Sequence, residues 1–464
     1  MSSAAGGGRG VVAGRGAHVG GLRWLARVAA RAVRTAVFRL GGLFVRPHRG
    51  PLPAAPARIL VLQLQQLGDS VIFTPTLRAL RERFPSATID LLATPAAAQV
   101  YRKSPYLDEI HVTHGWQGAF RGAGLRKLLP LLRELRGRAY DCTITDLAQQ
   151  SFRFALIAWL VRAPWRIGFD IAGRGLLHNV RIPYRADASW VDANLDIARA
   201  LGATPASLRE EVAFDRSDEE RVRAALADAG HAPERKLVVM HTGANWQSRT
   251  WYPERWSALA DAVADRHEAT IVFVGGGGER AYVDAVRAGM TRPSVSLAGV
   301  TDIPQLAALC RMSDLFVGTD SGPRHIARAS GCAHVVVMSA QDDTDQWAGW
   351  GRGEVILRSF PSCSGCYFPR CAHKICMDAI ETQRVLGWCE RALADARARE
   401  AEPRQDRIEM PPRLQGMAAR GKAVLRALAQ APVEAEMPMP VARSLLLNQS
   451  PTGPGSGSDQ VGGR

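Results

Sequence analysis

Asp320-Ser321-Gly322-Pro323-Arg324-His325 sets a carboxylate, a hydroxyl, a glycine and an imidazole in six consecutive residues. The apolar run Leu315-Phe316-Val317 before it predicts a buried strand, and the small residues from Ile326 to Gly331 predict a helix. In open α/β sheets, ligands bind where strand ends meet helix N-termini, and the free amides there favour phosphate. Asp-Ser-Gly is also ordinary turn and N-cap chemistry, so the stretch alone leaves both readings open.

Three further clusters could act with it. Gly275 to Gly278 follows a strand and precedes a helix, which is the form of a phosphate-approach loop, although neither GxGxxG nor a Walker pattern is present. Glu279 then falls in the first helical turn, where its carboxylate either accepts from a ribose diol or complements the helix dipole. Arg249 could pair with a diphosphate or sit solvated on the surface. Trp246 and Trp251 beside it read as loop-packing residues. Leu67-Gly68-Asp69 lies between strand and helix; Gly68 permits close approach, and Asp69 is either a helix cap or a base facing a cleft. Cys363, Cys366, Cys371 and Cys376, with His373 among them, offer a structural zinc or other metal site, a loop of reduced thiols, or local disulfides. Their spacing differs from the paired C-x2-C pattern of common zinc sites.

The elements that must position these residues alternate. Ile59 to Leu62 reads as a strand, Gln63 to Asp69 as a polar turn, Ser70 to Phe84 as a helix and Thr88 to Leu92 as the next strand. Strands at Leu237–Met240, Thr270–Val274, Leu315–Val317 and Val335–Met338 alternate with helices in a second half. The expected class is α/β, two Rossmann-like domains facing a central cleft. The expected divisions are a basic arm and Pro-rich linker (1–57), a first domain (58–215), and a second domain (216–376) carrying the Cys-rich segment 363–376. A closing helix (377–399) and a mostly disordered tail (400–464) follow.

Charge singles out the arm. The chain carries +15, and residues 1–58 hold ten Arg and no Asp or Glu. Leu22 to Phe44 can form a helix with Arg23, Arg27, Arg31 and Arg34 on one face. Such a helix could lie in a membrane interface with Arg toward lipid phosphates, or dock on the protein's own surface. It lacks the features of a secretory signal, and no apolar run is long enough to span a bilayer. No nucleic-acid motif accompanies the charge, so nucleic acid is not an expected partner.

Leu67-Gly68-Asp69-Ser70 with Thr74-Pro75, Gly243-Ala244-Asn245-Trp246 with Arg249 and Trp251-Tyr252-Pro253, the Gly-rich turn with Glu279, Leu297-Ala298-Gly299, and Asp320 to His325 occur in this order. Together they resemble glycosyltransferase family 9, the ADP-heptose:lipopolysaccharide heptosyltransferases, over roughly Arg58 to Ala398. The resemblance implies a GT-B fold, an acceptor-binding first domain, a second domain for the ADP-sugar, and a last helix crossing back to the first domain. It implies inverting transfer of heptose or a related sugar to an anionic glycolipid of the lipopolysaccharide inner core, by a cytoplasmic enzyme peripheral to the inner membrane. No cofactor is required. Asp69 matches the family's general base and Gly68 lies on the acceptor side. Thr242, Gly243, Arg249, Glu279, Asp320, Ser321, Gly322 and His325 match donor-binding positions. Some members carry a similar Cys-rich segment.

The chain departs from the pattern in four places. Gln63, Gln65 and Gln66 replace Arg and small polar residues, Thr242 replaces a frequent Pro, and Arg324 stands where Met is frequent. Ser339 to Asp342 stands where Phe-Gly-Pro-Thr is common. Two other classes fit the same halves or charge: a nucleotide-sugar epimerase, and a non-catalytic membrane or nucleic-acid adaptor.

Overall fold

In the computed structural model, the residues described are 33, 37, 40, 54–113, 123–148, 152–171, 173–185, 187–342, 344–347, 353–394 and 407–409. Apolar strand runs alternating with helices build two parallel sheets. The first runs through β1 (Arg58–Gln63), α1 (Leu67–Arg83), β2 (Thr88–Ala93), α2 (Pro95–Tyr101), β3 (Glu109–Val112) and α3 (Ala123–Gly137). It continues through β4 (Cys142–Thr145), α4 (Phe152–Val161), β5 (Trp165–Phe169), β6 (Val180–Ile182) and α5 (Trp190–Ala200). Its strand order is β3-β2-β1-β4-β5-β6.

The second half runs through α6 (Arg216–Asp228), β7 (Leu237–His241), α7 (Pro253–His267), β8 (Thr270–Val274), α8 (Arg280–Ala288), β9 (Val295–Ser296) and α9 (Ile303–Met312). Then come β10 (Leu315–Thr319), α10 (Gly322–Ala329), β11 (His334–Met338), α11 (Thr344–Trp347), β12 (Glu354–Arg358), α12 (Ile375–Asp378), α13 (Thr382–Ala394) and β13 (Arg407–Glu409). Its order is β13-β12-β11-β10-β7-β8-β9. Strand order reverses beside β1 and beside β7, and at such switch points crevices open at the carboxyl ends of strands. Leu67-Gly68-Asp69 follows β1, and Thr242-Gly243 follows β7.

Buried side chains explain why the halves dock. Leu128, Leu132, Phe154 and Ile157 cover one face of the first sheet, and Trp256, Leu259, Leu386 and Cys389 cover one face of the second. The remaining faces share a single core that runs from Ile59, Phe73 and Leu195 to Val239, Leu309 and Ile326. Helix α10 packs directly on α1.

Two expectations are corrected and a third is refined. Helix α1 starts at Leu67, so Leu67-Gly68-Asp69 forms its first turn, not a loop. The Asp69 carboxylate accepts from the Gln66 N–H at 3.1 Å, which lets the helix begin there. The last helix among the described residues, α13, packs on the second half: Val385, Leu386, Cys389 and Leu393 bury it against α7, β10 and β11. Within the stretch expected as a mostly disordered tail, Arg407–Glu409 pairs parallel to β12. Most of the basic arm lies outside the described residues; Val33, Val37 and Leu40 are helical and more than half exposed.

Thr74-Pro75 has a local explanation. A proline inside α1 cannot donate to the Val71 carbonyl. The Thr74 hydroxyl donates there at 2.7 Å and accepts from the Glu211 N–H at 3.0 Å. The segment joining the two halves is thereby tied to α1, and Arg78 adds bonds to Glu211, Ser207 O and Arg209 O.

Candidate active site

The site forms where the N-termini of α1 and α10 meet. A Cβ on Gly68 would lie 2.9 Å from His325 Cδ2, and one on Gly322 would lie 2.6 Å from the Leu67 side chain. Only glycine permits this approach at either position. Asp69, one residue beyond Gly68, is 8 % exposed. Burial pushes its carboxyl up from its usual 3.8 to about 6, against the opposing pull of the Gln66 N–H. An acid so placed exchanges a proton near neutral pH.

The second half contributes a linked set of polar groups. Glu279 ends a 3-10 turn, Gly277–Glu279, and its carboxylate lies directly over Gly243, where any Cβ would overlap it. It accepts from the Gly276 N–H at 2.7 Å. His241, the last residue of β7, lies 3.3 Å from Glu279 Oε1 through Nε2 and 3.1 Å from Ser321 Oγ through Nδ1. Burial would raise the Glu279 pKa, but His241 and the Gly276 amide outweigh it and hold the carboxyl below its usual range. The Thr319 hydroxyl donates to the Gly243 carbonyl, closing the link between the β7 and β10 loops. Thr242 is buried beside them, its hydroxyl without a hydrogen-bond partner among the described residues.

This arrangement has known counterparts. A family model described as "Glycosyltransferase family 9 (heptosyltransferase)" matches residues 128–374, just over half of the chain. The chain belongs to glycosyltransferase family 9. It is 27 % identical over 61 % of its length to lipopolysaccharide heptosyltransferase 3 of Escherichia coli K12, covering 82 % of that protein. It is 23 % identical to the lipopolysaccharide core heptosyltransferase OpsX of Haemophilus influenzae, over 60 % of this chain and 77 % of the relative. The fold matches a family 9 glycosyltransferase of Veillonella parvula (TM-score 0.63, 20 % identity, 74 % of this chain and 99 % of that one). It also matches the E. coli ADP-heptose lps heptosyltransferase II (TM-score 0.61, 20 % identity, 73 % and 99 %). The architecture is GT-B. Family membership makes the chain a glycosyltransferase and sets aside the epimerase and adaptor alternatives.

Not every predicted donor residue of this family 9 chain faces open space. Arg249 stacks on Trp246, with its guanidinium carbon 4.7 Å from the ring centre, and pairs with Asp342 at 2.5 Å. A diphosphate reaching Arg249 must join or displace that carboxylate. Trp251 is core, donating to the Ile380 carbonyl, as the loop-packing reading expects. Asp320 accepts from Arg324 Nη1 at 2.6 Å, so this oxygen is engaged within the protein.

Sequence reasoning missed the network that begins there. Arg324, one of the departures, is fully buried and also bonds Glu354 at 2.7 Å. Glu354 lies 3.0 Å from His334 Nε2 and 3.6 Å from Arg328 Nη1. Arg328 forks onto Glu210 at 2.6 and 2.5 Å. Burial would raise the Glu354 pKa, but Arg324 and Arg328 hold it well below the carboxylate range. The local signal was two Arg four residues apart on a short helix of small residues, a spacing that sets both on one face. His241 carried no such mark.

None of Cys363, Cys366, Cys371 and Cys376 is in a disulfide, and all four are partly exposed. No three of their sulfurs gather within 4.8 Å; the group that does so among the described residues is Asp90, Glu109 and His111. The cationic place there belongs to Arg138, which donates to both oxygens of Glu109 at 2.6 and 2.9 Å. As arranged, the thiols do not fit a tetrahedral zinc.

Two stability outcomes follow from these burials. Arg324→Met, which installs the residue frequent in relatives, leaves Asp320 and Glu354 short of a cation and costs about 3–5 kcal/mol in denaturant unfolding. Asp69 has a raised folded-state pKa, so its contribution is fully present below pH 3.8 and is lost as pH rises through about 6. Asp69→Asn therefore stabilises the protein above that window, by up to about 3 kcal/mol at pH 8, and by little at pH 3.5. Melting curves at the two pH values measure the difference.

Proposed function

We propose that this family 9 glycosyltransferase moves a heptose, or a related sugar, from an ADP-sugar to a hydroxyl of the lipopolysaccharide inner core, with inversion and with Asp69 as general base. The observation that carries the proposal is the buried Asp69 carboxyl, raised to about 6, at the junction with the nucleotide-side loops. Support for the donor and acceptor comes from the relatives. One solved counterpart is an ADP-heptose lps heptosyltransferase of E. coli, another is E. coli heptosyltransferase WaaC with ADP, and the curated relatives are lipopolysaccharide heptosyltransferases.

The acceptor hydroxyl gives its proton to Asp69 as its oxygen bonds to the anomeric carbon. The bond from that carbon to the diphosphate oxygen breaks, and ADP leaves with the electron pair. Charge growing on the diphosphate is met by the Gly322 N–H at the head of α10, where Pro323 offers no donor and the Arg324 N–H is taken by the Ser321 carbonyl, and by Arg249. Glu279, held ionised by His241, accepts from the ribose diol. Fixed cationic and amide groups supply this stabilisation, so the reaction as proposed asks for no metal, and turnover persists in EDTA.

The basic arm brings the enzyme to its acceptor. Val33, Val37 and Leu40 recur at helical spacing and are exposed, which suits insertion at a lipid interface beside the arm's arginines. No helix among the described residues is long and apolar enough to cross a membrane.

Incubation with ADP-heptose, UDP-sugars and GDP-sugars, reading nucleotide release with and without acceptor, tests the reaction. Release from ADP-heptose that depends on acceptor is expected; preference for UDP- or GDP-sugars defeats the assignment. Asp69→Ala should lower turnover by about 100-fold or more while nucleotide affinity changes little. Wild-type rate should climb with pH up to about 6 and then level. Near-normal turnover of the variant removes Asp69 as the base. Deleting residues 1–56 should release the protein from anionic vesicles yet preserve transfer to a soluble acceptor.

A further inference from the structure

Arg328 touches neither Asp69 nor the Gly-rich turn, yet it decides what His325 can do. Both are buried on α10, at 3 % exposure each. Arg328 Nη2 lies 2.9 Å from His325 Nδ1. A guanidinium has only donors and keeps its protons in proteins, so Nδ1 must accept. Burial first, then the neighbouring Arg328 and Arg324, drive the His325 pKa well below its usual value, so the ring is neutral. A neutral imidazole with an accepting Nδ1 carries its one proton on Nε2.

That proton has a defined direction. A Cβ on Gly68 would lie 3.2 Å from His325 Nε2, so the N–H edge of the ring packs against the first turn of α1, next to Asp69. Arg328 is itself fixed from outside α10. Its fork onto Glu210 is buried on both sides, and Nη1 donates to the Trp347 carbonyl at 3.0 Å. Glu210 belongs to the segment joining the halves, and its neighbour Glu211 is bonded to Thr74 of α1. The contacts form a closed circuit from α1 through the joining segment, Glu210, Arg328 and His325 back to Gly68.

We propose that Arg328, seated by Glu210, is a positioning residue that locks His325 as the Nε2–H tautomer, making it a neutral hydrogen-bond donor at the junction of the two helix N-termini. On the proposed function, the oxygen it serves belongs to the sugar diphosphate, whose phosphate oxygens present lone pairs only. The opposite tautomer would oppose a lone pair to a lone pair at that point. Glu210 makes the lock depend on how the halves sit, because it reaches α10 from the joining segment.

The tautomer itself is measurable in the ligand-free, full-length protein. Histidine labelled with 15N, with the His325 signals assigned by their absence in His325→Gln, should show an unprotonated Nδ1 and a protonated Nε2. In Arg328→Met the Nδ1–H form should appear, and Arg328→Lys, which keeps a donor able to pair with Glu210, should restore the original pattern. Arg328→Met should lower kcat by roughly 10- to 100-fold in the natural chain, the scale of one charge-assisted hydrogen bond. On the His325→Gln background, where the amide N–H needs no tautomer lock, the same change should cost less than about threefold. A protonated Nδ1 in the natural protein overturns the proposal even if Arg328→Met fails to fold. Equal losses on the two backgrounds overturn it as well. Absence of transfer from every ADP-sugar would defeat the proposed reaction and leave the tautomer result standing.

Discussion

The close approach of two helix N-termini, α1 and α10, is the constraint on which the rest of the site depends. Each N-terminus carries roughly half a positive charge from its unpaired amides, so bringing two together is electrostatically unfavourable unless negative charge lies nearby. The approach is set by Gly68 against His325 and Gly322 against Leu67, and it leaves no room for a Cβ. Asp69 sits in the first turn of α1, where the dipole favours its ionised form. Burial nevertheless wins, since its pKa goes up. A diphosphate entering the junction would answer the same field with charge that leaves again with the product.

Buried charge holds the approach from behind. Asp320, Arg324, Glu354, Arg328 and Glu210 form a continuous chain of ion pairs. Such pairs return little net stability, because desolvating the ions costs about as much as their attraction gains. What they fix is geometry. Each guanidinium is forked between partners on different elements, so α10 cannot rotate or slide without breaking a bond that lacks a replacement in water. Trp190 of α5 and Trp347 pack at a tilt of 34° with ring centres 4.5 Å apart, adding an apolar contact across the same boundary. Helix α10 and the loop before it are therefore held at the first half by charge and shape together.

The alternation of strands and helices was legible because its period is local, and the site motifs were legible because each follows a strand end. The start of α1 was not, since Leu67-Gly68-Asp69 has the composition of a turn and becomes helical only when the Asp69 carboxylate bonds back to Gln66. Arg324 was visible only as a departure from the family pattern, and Arg328 carried no mark of its own. Their meaning lies in Glu354 and Glu210, the latter 118 positions from Arg328 in sequence and in contact with it only once the halves dock. The docking of α13 was missed for a related reason: its apolar stripe of Val385, Leu386, Cys389 and Leu393 specifies burial but not the sheet that receives it. The cysteine spacing showed that thiols are close in sequence, which does not determine whether their sulfurs converge.

Two carboxylates at the site are driven in opposite directions by their surroundings, and that difference is what the roles proposed for them rest on. Asp69 is buried with one backbone donor to offset desolvation, so its neutral form is favoured up to about pH 6. Glu279 is also partly buried, but His241 and the Gly276 amide reach it, and its ionised form is favoured. The first can gain and lose a proton under working conditions; the second remains a fixed acceptor. Exchanging the proposed roles would fail in both places: a base held ionised by a neighbouring His has little affinity for a proton, and a diol partner that protonates loses an acceptor. The glycines after β8 let Glu279 turn back over Gly243, within reach of His241, and the glycine before Asp69 lets α10 close over it. In each half, the absence of a side chain sets the environment that tunes the acid beside it.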